Sequence, residues 1–153
     1  MFIYYFIIAV IIFLDQLIKG LTTEFLALGE QWTLLPHIFS LQYIQNDGAA
    51  WGILSGKMGV FFVITALVLA FLLYTLHKEG KAEPVLALGI SLMTGGAVGN
   101  FIDRLRLHYV IDMFRFDFIN FPVFNFADAC LTIGVLILMI SMLYAEFREK
   151  RNG

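Results

Sequence analysis

Asp112 and Asp128, with Asn100 and Asn125 close to them along the chain, are the residues of this protein whose types could do chemistry together. Two carboxylates held close to one another cannot both ionise, so one keeps a proton, and a low dielectric favours that outcome further. The ionised partner can then take a proton from water while the protonated one polarises a carbonyl oxygen, which is peptide hydrolysis by an aspartic dyad. Nothing in the sequence itself puts the two aspartates side by side. Other chemistries have less to work with. No serine stands near a histidine or lysine at membrane depth, and no G-x-S-x-G elbow is present. Ser55-Gly56-Lys57 has the composition of a simple turn. Cys130 is the only cysteine, which excludes an internal disulfide and a CxxC site, and in its apolar run it reads as a small packing residue. His37, His77 and His108 are scattered, without HExxH or paired-ligand spacing, so neither a metal nor another cofactor is expected.

The elements that must position these carboxylates are membrane helices. The chain has 153 residues, 60% of them hydrophobic and 14% charged, with mean hydropathy +0.84. A soluble domain carries about 25% charged residues, so this chain has too little polar surface to cover such a core in water, and its solvent is lipid. A bilayer core about 30 Å thick needs about 20 mostly apolar residues in a helix. Four segments answer to that, at about 2–18, 59–76, 84–102 and 127–145, with Pro84 suited to a helix start. The reading is an all-α membrane protein, a single integral membrane domain of four transmembrane helices. The first segment lacks the basic n-region and cleavage site of a secretory leader and is read as retained. The polar link 77–83 is short, making the second and third helices antiparallel neighbours. The longer connections, 20–58 and 103–126, contain strand-like alternation in Phe39-Ser40-Leu41-Gln42-Tyr43 and in Arg115-Phe116-Asp117-Phe118. A small β or loop cap on one face is expected, with two irregular loops as the alternative.

Basic residues orient the helices. Lys78, Lys81, Arg148, Lys150 and Arg151 fall in the short link and the C-terminal tail, whereas Lys19, Lys57, Arg104, Arg106 and Arg115 are spread through the long connections and adjoining helix ends. The counts are equal but the first set is far denser, which places both termini in the cytoplasm. Each polar residue then has a depth. Asp15, Gln16 and Lys19 end the first helix at the outer side; Asn46 and Asp47 lie in the first outer loop; Asn100, Asp103 and Arg104 end the third helix; Asp112 lies in the second outer loop; and Asn125 and Asp128 begin the fourth helix. Ionisable groups at membrane depth cost about 2.5–3.5 kcal/mol each on insertion scales. Singly, each has a bland explanation. Asp15 could cap a loop, Arg104 could neutralise Asp103 or snorkel to the headgroups, and Asp128 could complement a helix dipole. Their gathering in one layer is not explained that way.

Two other functions compete for these carboxylates. A small transporter or proton relay predicts acidic residues through the whole bilayer depth and helices broken near the midplane. Gly95-Gly96 could mark such a break, although small residues more often permit close helix approach, and the inner half lacks acidic residues. A purely structural subunit leaves the cluster without a purpose. No basic stripe with interleaved aromatics supports nucleic-acid binding.

At these residues the chain resembles the lipoprotein signal peptidases, the signal peptidase II family. Four motifs carry the resemblance: Asp15-Gln16-Leu17-Ile18-Lys19, Asn46-Asp47-Gly48-Ala49-Ala50-Trp51, Gly99-Asn100-Phe101-Ile102-Asp103-Arg104, and Val110-Ile111-Asp112 followed by Phe124-Asn125-Phe126-Ala127-Asp128. Each alone is weak; all four in order on a four-span chain are highly specific. The resemblance implies an aspartic endopeptidase of the bacterial cytoplasmic membrane. Such an enzyme removes signal peptides from diacylglyceryl-modified prolipoproteins, cutting just before the lipidated cysteine, and works without a metal. It implies Asp112 and Asp128 as the catalytic pair. Asn46, Gly48, Asn100, Arg104, Asn125 and Ala127 would line the substrate site, and Asp15, Lys19 and Asp103 would support the architecture. The partners implied are the lipidated precursor and membrane lipid, with activity as a monomer. One departure is Met113, where the family commonly has phenylalanine; both are apolar. Cys130, close after Asp128, is left between touching the site and packing.

Overall fold

A computed structural model describes residues 1–48 and 57–152. The chain order is α1 (Phe2–Phe25), β1 (Gln31–Leu35), β2 (Phe39–Asn46), α2 (Met58–Glu79), α3 (Pro84–Leu107), β3 (Val110–Phe116) and α4 (Phe126–Asn152). Four of these helices are long and apolar enough to cross a membrane. All four outrun the limits expected from hydropathy. α1 continues past residue 18, α2 past 76, α3 past 102 and α4 past 145. Hydropathy registers only the part of a helix that lipid can solvate. The extra turns of α1 and α3 carry Lys19, Asp103 and Arg104, whose polar groups find partners in neighbouring elements. The α2–α3 connection shrinks accordingly, since α2 runs to Glu79 and α3 starts at Pro84, its N1/N2 proline.

α3 is the central helix and packs against α1, α2 and α4. Its sequence explains how. Gly96 and Gly99 allow approach that no side chain would: a Cβ on Gly96 would stand 2.4 Å from the carbonyl oxygen of Ala127 in α4, and one on Gly99 would stand 2.5 Å from the Asp15 carboxylate in α1. The pair Gly95-Gly96 therefore marks helix contact rather than a break, because α3 is continuous through it. At the far end from the sheet, Ile8 of α1, Leu72 and Leu76 of α2, and Ala87 and Ile90 of α3 close an apolar core.

The cap is a sheet, ordered β1-β2-β3 and antiparallel throughout. β1 is a strand that alternation did not reveal, since all five of its residues are exposed. Two histidines occupy turn positions with positive φ: His37 (φ 61°) between β1 and β2, and His108 (φ 65°), which caps α3 in the left-handed conformation. A register irregularity between Leu41 and Ile44 sets Ile44 opposite Asp112 and Asn46 opposite Val110. Asn46, two residues from Ile44, therefore shares a face with Asp112 as its diagonal neighbour. Met113 is buried with Leu26, Tyr43 and Ile111 in the core of the cap, so the departure at that position is a matter of packing.

Candidate active site

The site begins at the N-terminus of α4. Asn125 precedes the helix, and Asp128 lies in its first turn. The Asp128 backbone N–H donates to Asn125 Oδ1 at 2.9 Å, and the Asn125 backbone N–H donates to Asp128 Oδ2 at 3.2 Å. This reciprocal capping satisfies two donors that a helix end would otherwise leave open. A third, the Ala127 N–H, donates to Asp15 Oδ1 of α1 at 3.0 Å. Asp15 thus caps a helix in another part of the chain rather than a loop.

Asp112 comes from β3 and is fully buried. Its Oδ1 accepts Asn125 Nδ2 at 2.7 Å, and its Oδ2 accepts Asn46 Nδ2 from β2 at 2.9 Å. Asp128 Oδ1 accepts Asn100 Nδ2 from α3 at 2.7 Å. Each of the four oxygens of the two aspartates therefore receives an amide N–H, and Asn125 serves both carboxylates. Burial, and then the charge of Asp128, push the Asp112 carboxyl up from its usual value to about 7; the hydrogen bonds from Asn46 and Asn125 and the charge of Lys19 pull the other way. A proton held on Asp112 near neutral pH follows.

Behind this pair lies an ionic hub. Lys19 Nζ is 2.8 Å from Asp15 Oδ2, 2.9 Å from Asp103 Oδ2 and 2.9 Å from Asn100 Oδ1, and all four residues are buried. Asp103 also accepts the Ile111 backbone N–H at 3.1 Å and Gln16 Nε2 at 2.9 Å. The partner of Asp103 is thus Lys19 and not Arg104. Arg104 turns the other way, donating from Nη2 to the Gly48 carbonyl at 3.1 Å, with its guanidinium carbon 4.3 Å from the centre of the Phe61 ring. Gly48 is fixed in turn by its N–H, which donates to Asn46 Oδ1 at 3.0 Å.

A cavity of about 440 Å³ opens beside the two aspartates. Asn46, Gly48, Asn100, Arg104, Asp112 and Asp128 reach its wall. Asn125 and Ala127, also expected in the substrate site, are fully buried and are not among its lining residues. Asp15, Lys19 and Asp103 stand in the hub, and Cys130 is buried and absent from the wall. Within their motif, Ala49, Ala50 and Trp51, like Ser55 and Gly56 of the expected turn, lie outside the described residues. Sequence reading missed the apolar side of the cavity, to which α2 contributes Phe61, Ile64 and Val68 and α4 contributes Leu131. In a membrane helix an apolar residue facing a cavity carries the same sequence signal as one facing lipid.

The family model for signal peptidase (SPase) II matches residues 7–144. A lipoprotein signal peptidase of Lactiplantibacillus plantarum is 45% identical over 153 residues, covering 98% of this chain and 100% of the relative. Another, of Enterococcus faecalis, is 43% identical over 153 residues, covering 99% and 95%. A bacterial membrane enzyme solved by the in meso method at 2.3 Å resolution superposes with a TM-score of 0.90 at 36% identity, covering 94% of this chain and 89% of that one. With two carboxylates meeting at the wall of a cavity among membrane-length helices, and with relatives of this kind along its full length, this chain belongs to the signal peptidase II family.

Proposed function

We propose that Asp112 and Asp128 are the catalytic dyad with which this membrane protease removes signal peptides from prolipoproteins, cutting just before a cysteine that carries a diacylglyceryl group. The observation that carries this reading is the placing of an amide N–H on every oxygen of the two carboxylates at the cavity wall. Among the described residues neither carboxylate is paired with a cation, so neither is locked as an anion, and the pair remains free to share one proton. The buried Asp112 holds it. Asp128 stands in the first turn of α4, at the positive end of that helix.

The chemistry then balances without further groups. Asp128 takes a proton from water as the hydroxide attacks the scissile carbonyl carbon, and Asp112 gives its proton to the carbonyl oxygen. In the breakdown of the resulting diol, one hydroxyl returns a proton to Asp112, Asp128 protonates the leaving nitrogen, and the C–N bond breaks. Asp112 is again protonated and Asp128 ionised. Asn46, Gly48, Asn100 and Arg104 line the bound segment, and Asn125 and Ala127 hold the helix end beneath it.

A precursor anchored by its acyl chains holds the scissile bond near the outer interface, which is the depth of the cluster if both termini are cytoplasmic. Substrate search within the bilayer plane follows from the same anchoring. One chain supplies the whole constellation, which supports activity as a monomer within a single membrane domain. The test is the reconstituted Asp112→Asn and Asp128→Asn enzymes with a lipidated precursor. Cleavage is expected to fall by on the order of a thousandfold or more in each; wild-type turnover in either folded variant would show the dyad assignment to be wrong.

A further inference from the structure

Lys19 does not reach the cavity, yet it determines which way the site's amides face. An ammonium has three donors and no acceptor, and all three donors are used, on Asp15 Oδ2, Asp103 Oδ2 and Asn100 Oδ1. The end of the Asn100 amide that faces Lys19 must therefore be its oxygen, and its nitrogen is left to donate to Asp128. The same oxygen accepts Asn125 Nδ2 at 3.0 Å. That contact orients the second amide, whose other N–H reaches Asp112 and whose oxygen is left to receive the Asp128 N–H. A single donor-only group thus sets the polarity of a chain running from Lys19 through Asn100 and Asn125 to Asp112.

We propose that Lys19 is a positioning residue for the dyad, fixing the Asn100 and Asn125 amides so that they donate to both carboxylates at every stage of the reaction and never accept from them. This rests on the assignment of Asp112 and Asp128 as the dyad. The constraint matters most when Asp128 carries the proton taken from water. An unrestrained Asn100 amide could then turn its oxygen to that carboxyl and accept the proton in an idle hydrogen bond. With Lys19 in place, the neighbouring amides offer no acceptor, and the proton's destination is the leaving nitrogen. The anchors of Lys19 suit the role. Asp15 holds the Ala127 N–H at the start of α4, and Asp103 holds the Ile111 N–H of β3. The ammonium is thereby tied to the two elements that carry Asp128 and Asp112.

The competing role for Lys19 is simple neutralisation of Asp15 and Asp103, and the two roles separate in kinetics. The charged groups facing Asp112 are Asp128 from α4, Lys19 with Asp15 behind it from α1, and Arg104 with Asp103 behind it from α3; β2 presents the neutral Asn46. Loss of the Lys19 cation lets Asp112 keep its proton to higher pH. In full-length Lys19→Met reconstituted with a lipidated precursor, kcat per folded enzyme is expected to fall about a hundredfold, KM to stay unchanged, and the alkaline limb of kcat to move up in pH. Asn100→Asp guards against a failure of that variant to fold. It keeps an acceptor for the ammonium, and so any purely structural work, but takes the donor away from Asp128, and kcat is again expected to fall about a hundredfold. Wild-type kcat and an unmoved limb in folded Lys19→Met, or wild-type kcat in Asn100→Asp, overturn the proposal. If those results came with inactive Asp112→Asn and Asp128→Asn enzymes, the role of Lys19 alone would fail; active aspartate variants would remove the dyad itself.

Discussion

Asn125 and Asp128 hold each other by two hydrogen bonds between backbone and side chain, the Asp128 N–H donating to the Asn125 amide at 2.9 Å and the Asn125 N–H to the Asp128 carboxylate at 3.2 Å. The carboxylate proposed as the base is therefore also part of a helix cap, and substitutions can separate the two duties. In Asp128→Asn the new side-chain oxygen still accepts the Asn125 N–H, while its NH2 group faces the Asn100 Nδ2 donor. The variant therefore keeps the cap and is expected to lose only about 1 kcal/mol, from that one mismatched pair, while losing cleavage. Asn125→Ala removes the cap and the donors to Asp112 and Asn100 together. It should lose about 1–2 kcal/mol from the cap alone, and cleavage as well. Thermal unfolding in detergent beside a precursor assay checks both; an Asp128→Asn protein as unstable as Asn125→Ala would contradict the division.

How far these relationships could be read beforehand depended on what lipid and water each reveal. The four apolar runs were legible because a bilayer demands length and hydropathy together. The helix ends were not, because Lys19, Asp103 and Arg104 are solvated by protein partners far away in sequence, and hydropathy counts them as exits from the membrane. β2 announced itself by the alternation at 39–43, whereas the alternation at 115–118 caught only the last two residues of β3, whose start from Val110 to Met113 is buried throughout. β1, exposed along its whole length, had no buried face to alternate with. The gathering of Asp15, Asn100, Asp112, Asn125 and Asp128 in one layer followed from topology. Their hydrogen-bond order did not, since spacing cannot show that Lys19 has three acceptors or that Asn125 serves two carboxylates.

Asp112 should impose a pH dependence on stability of unusual sign for an aspartate. Its folded-state value of about 7 lies above its ordinary 3.8, so between these values the native protein keeps a proton that the unfolded chain has released. The contribution is whole below the lower value, declines as pH rises through that window, and is lost above the upper one, a span on the order of 4 kcal/mol. Asp112→Asn removes the titration at the cost of turning one donor, Asn46 or Asn125, away from its new NH2 group, about 1 kcal/mol and independent of pH. Denaturant unfolding of both proteins from pH 4 to pH 8 should show wild type losing ground to the variant as pH rises. Parallel curves would mean that Asp112 is ionised throughout. Cleavage by wild type should decline above a pH of about 7, as the protonated form of Asp112 is depleted.

The close approach of α3 to its neighbours gives a stability test of the scaffold. At Gly96 the obstacle to a methyl group is a backbone carbonyl, that of Ala127, which cannot turn aside, and at Gly99 it is the Asp15 carboxylate. Gly96→Ala should lower stability by roughly 1–3 kcal/mol through overpacking. Gly99→Ala should also pull Asp15 from its place and weaken the Ala127 cap. Gly20, within α1, has nothing within 4 Å of an added Cβ. Gly20→Ala should therefore raise stability by about 0.5–1 kcal/mol, the ordinary helix gain. Melting temperatures of the three variants in one detergent order these effects; a Gly96→Ala protein as stable as Gly20→Ala would refute the packing described for α3 and α4.

Arg104 offers separable contributions at the cavity wall. Its Nη2 holds the Gly48 carbonyl, its guanidinium carbon lies over the Phe61 ring, and its charge is within electrostatic reach of Asp128 and Asp112. Arg104→Lys retains the charge but forfeits the guanidinium contact with the Phe61 ring and the fixed donor to Gly48, since a lysine ammonium is a compact donor on a flexible stem. A cation–π contact at a half-exposed cavity wall is worth about 0.5–1 kcal/mol, so KM is expected to rise a few fold as the wall loosens while kcat changes little. Phe61→Leu, which removes only the ring, should reproduce most of that rise in KM. Arg104→Met removes the charge as well, leaving the dyad beside an uncompensated wall, and should lower kcat in addition. Michaelis kinetics with one precursor across the three variants decide the matter. A fall in kcat for Arg104→Lys as large as that for Arg104→Met would mean that the geometry of the guanidinium, and not its charge, acts on the reacting groups.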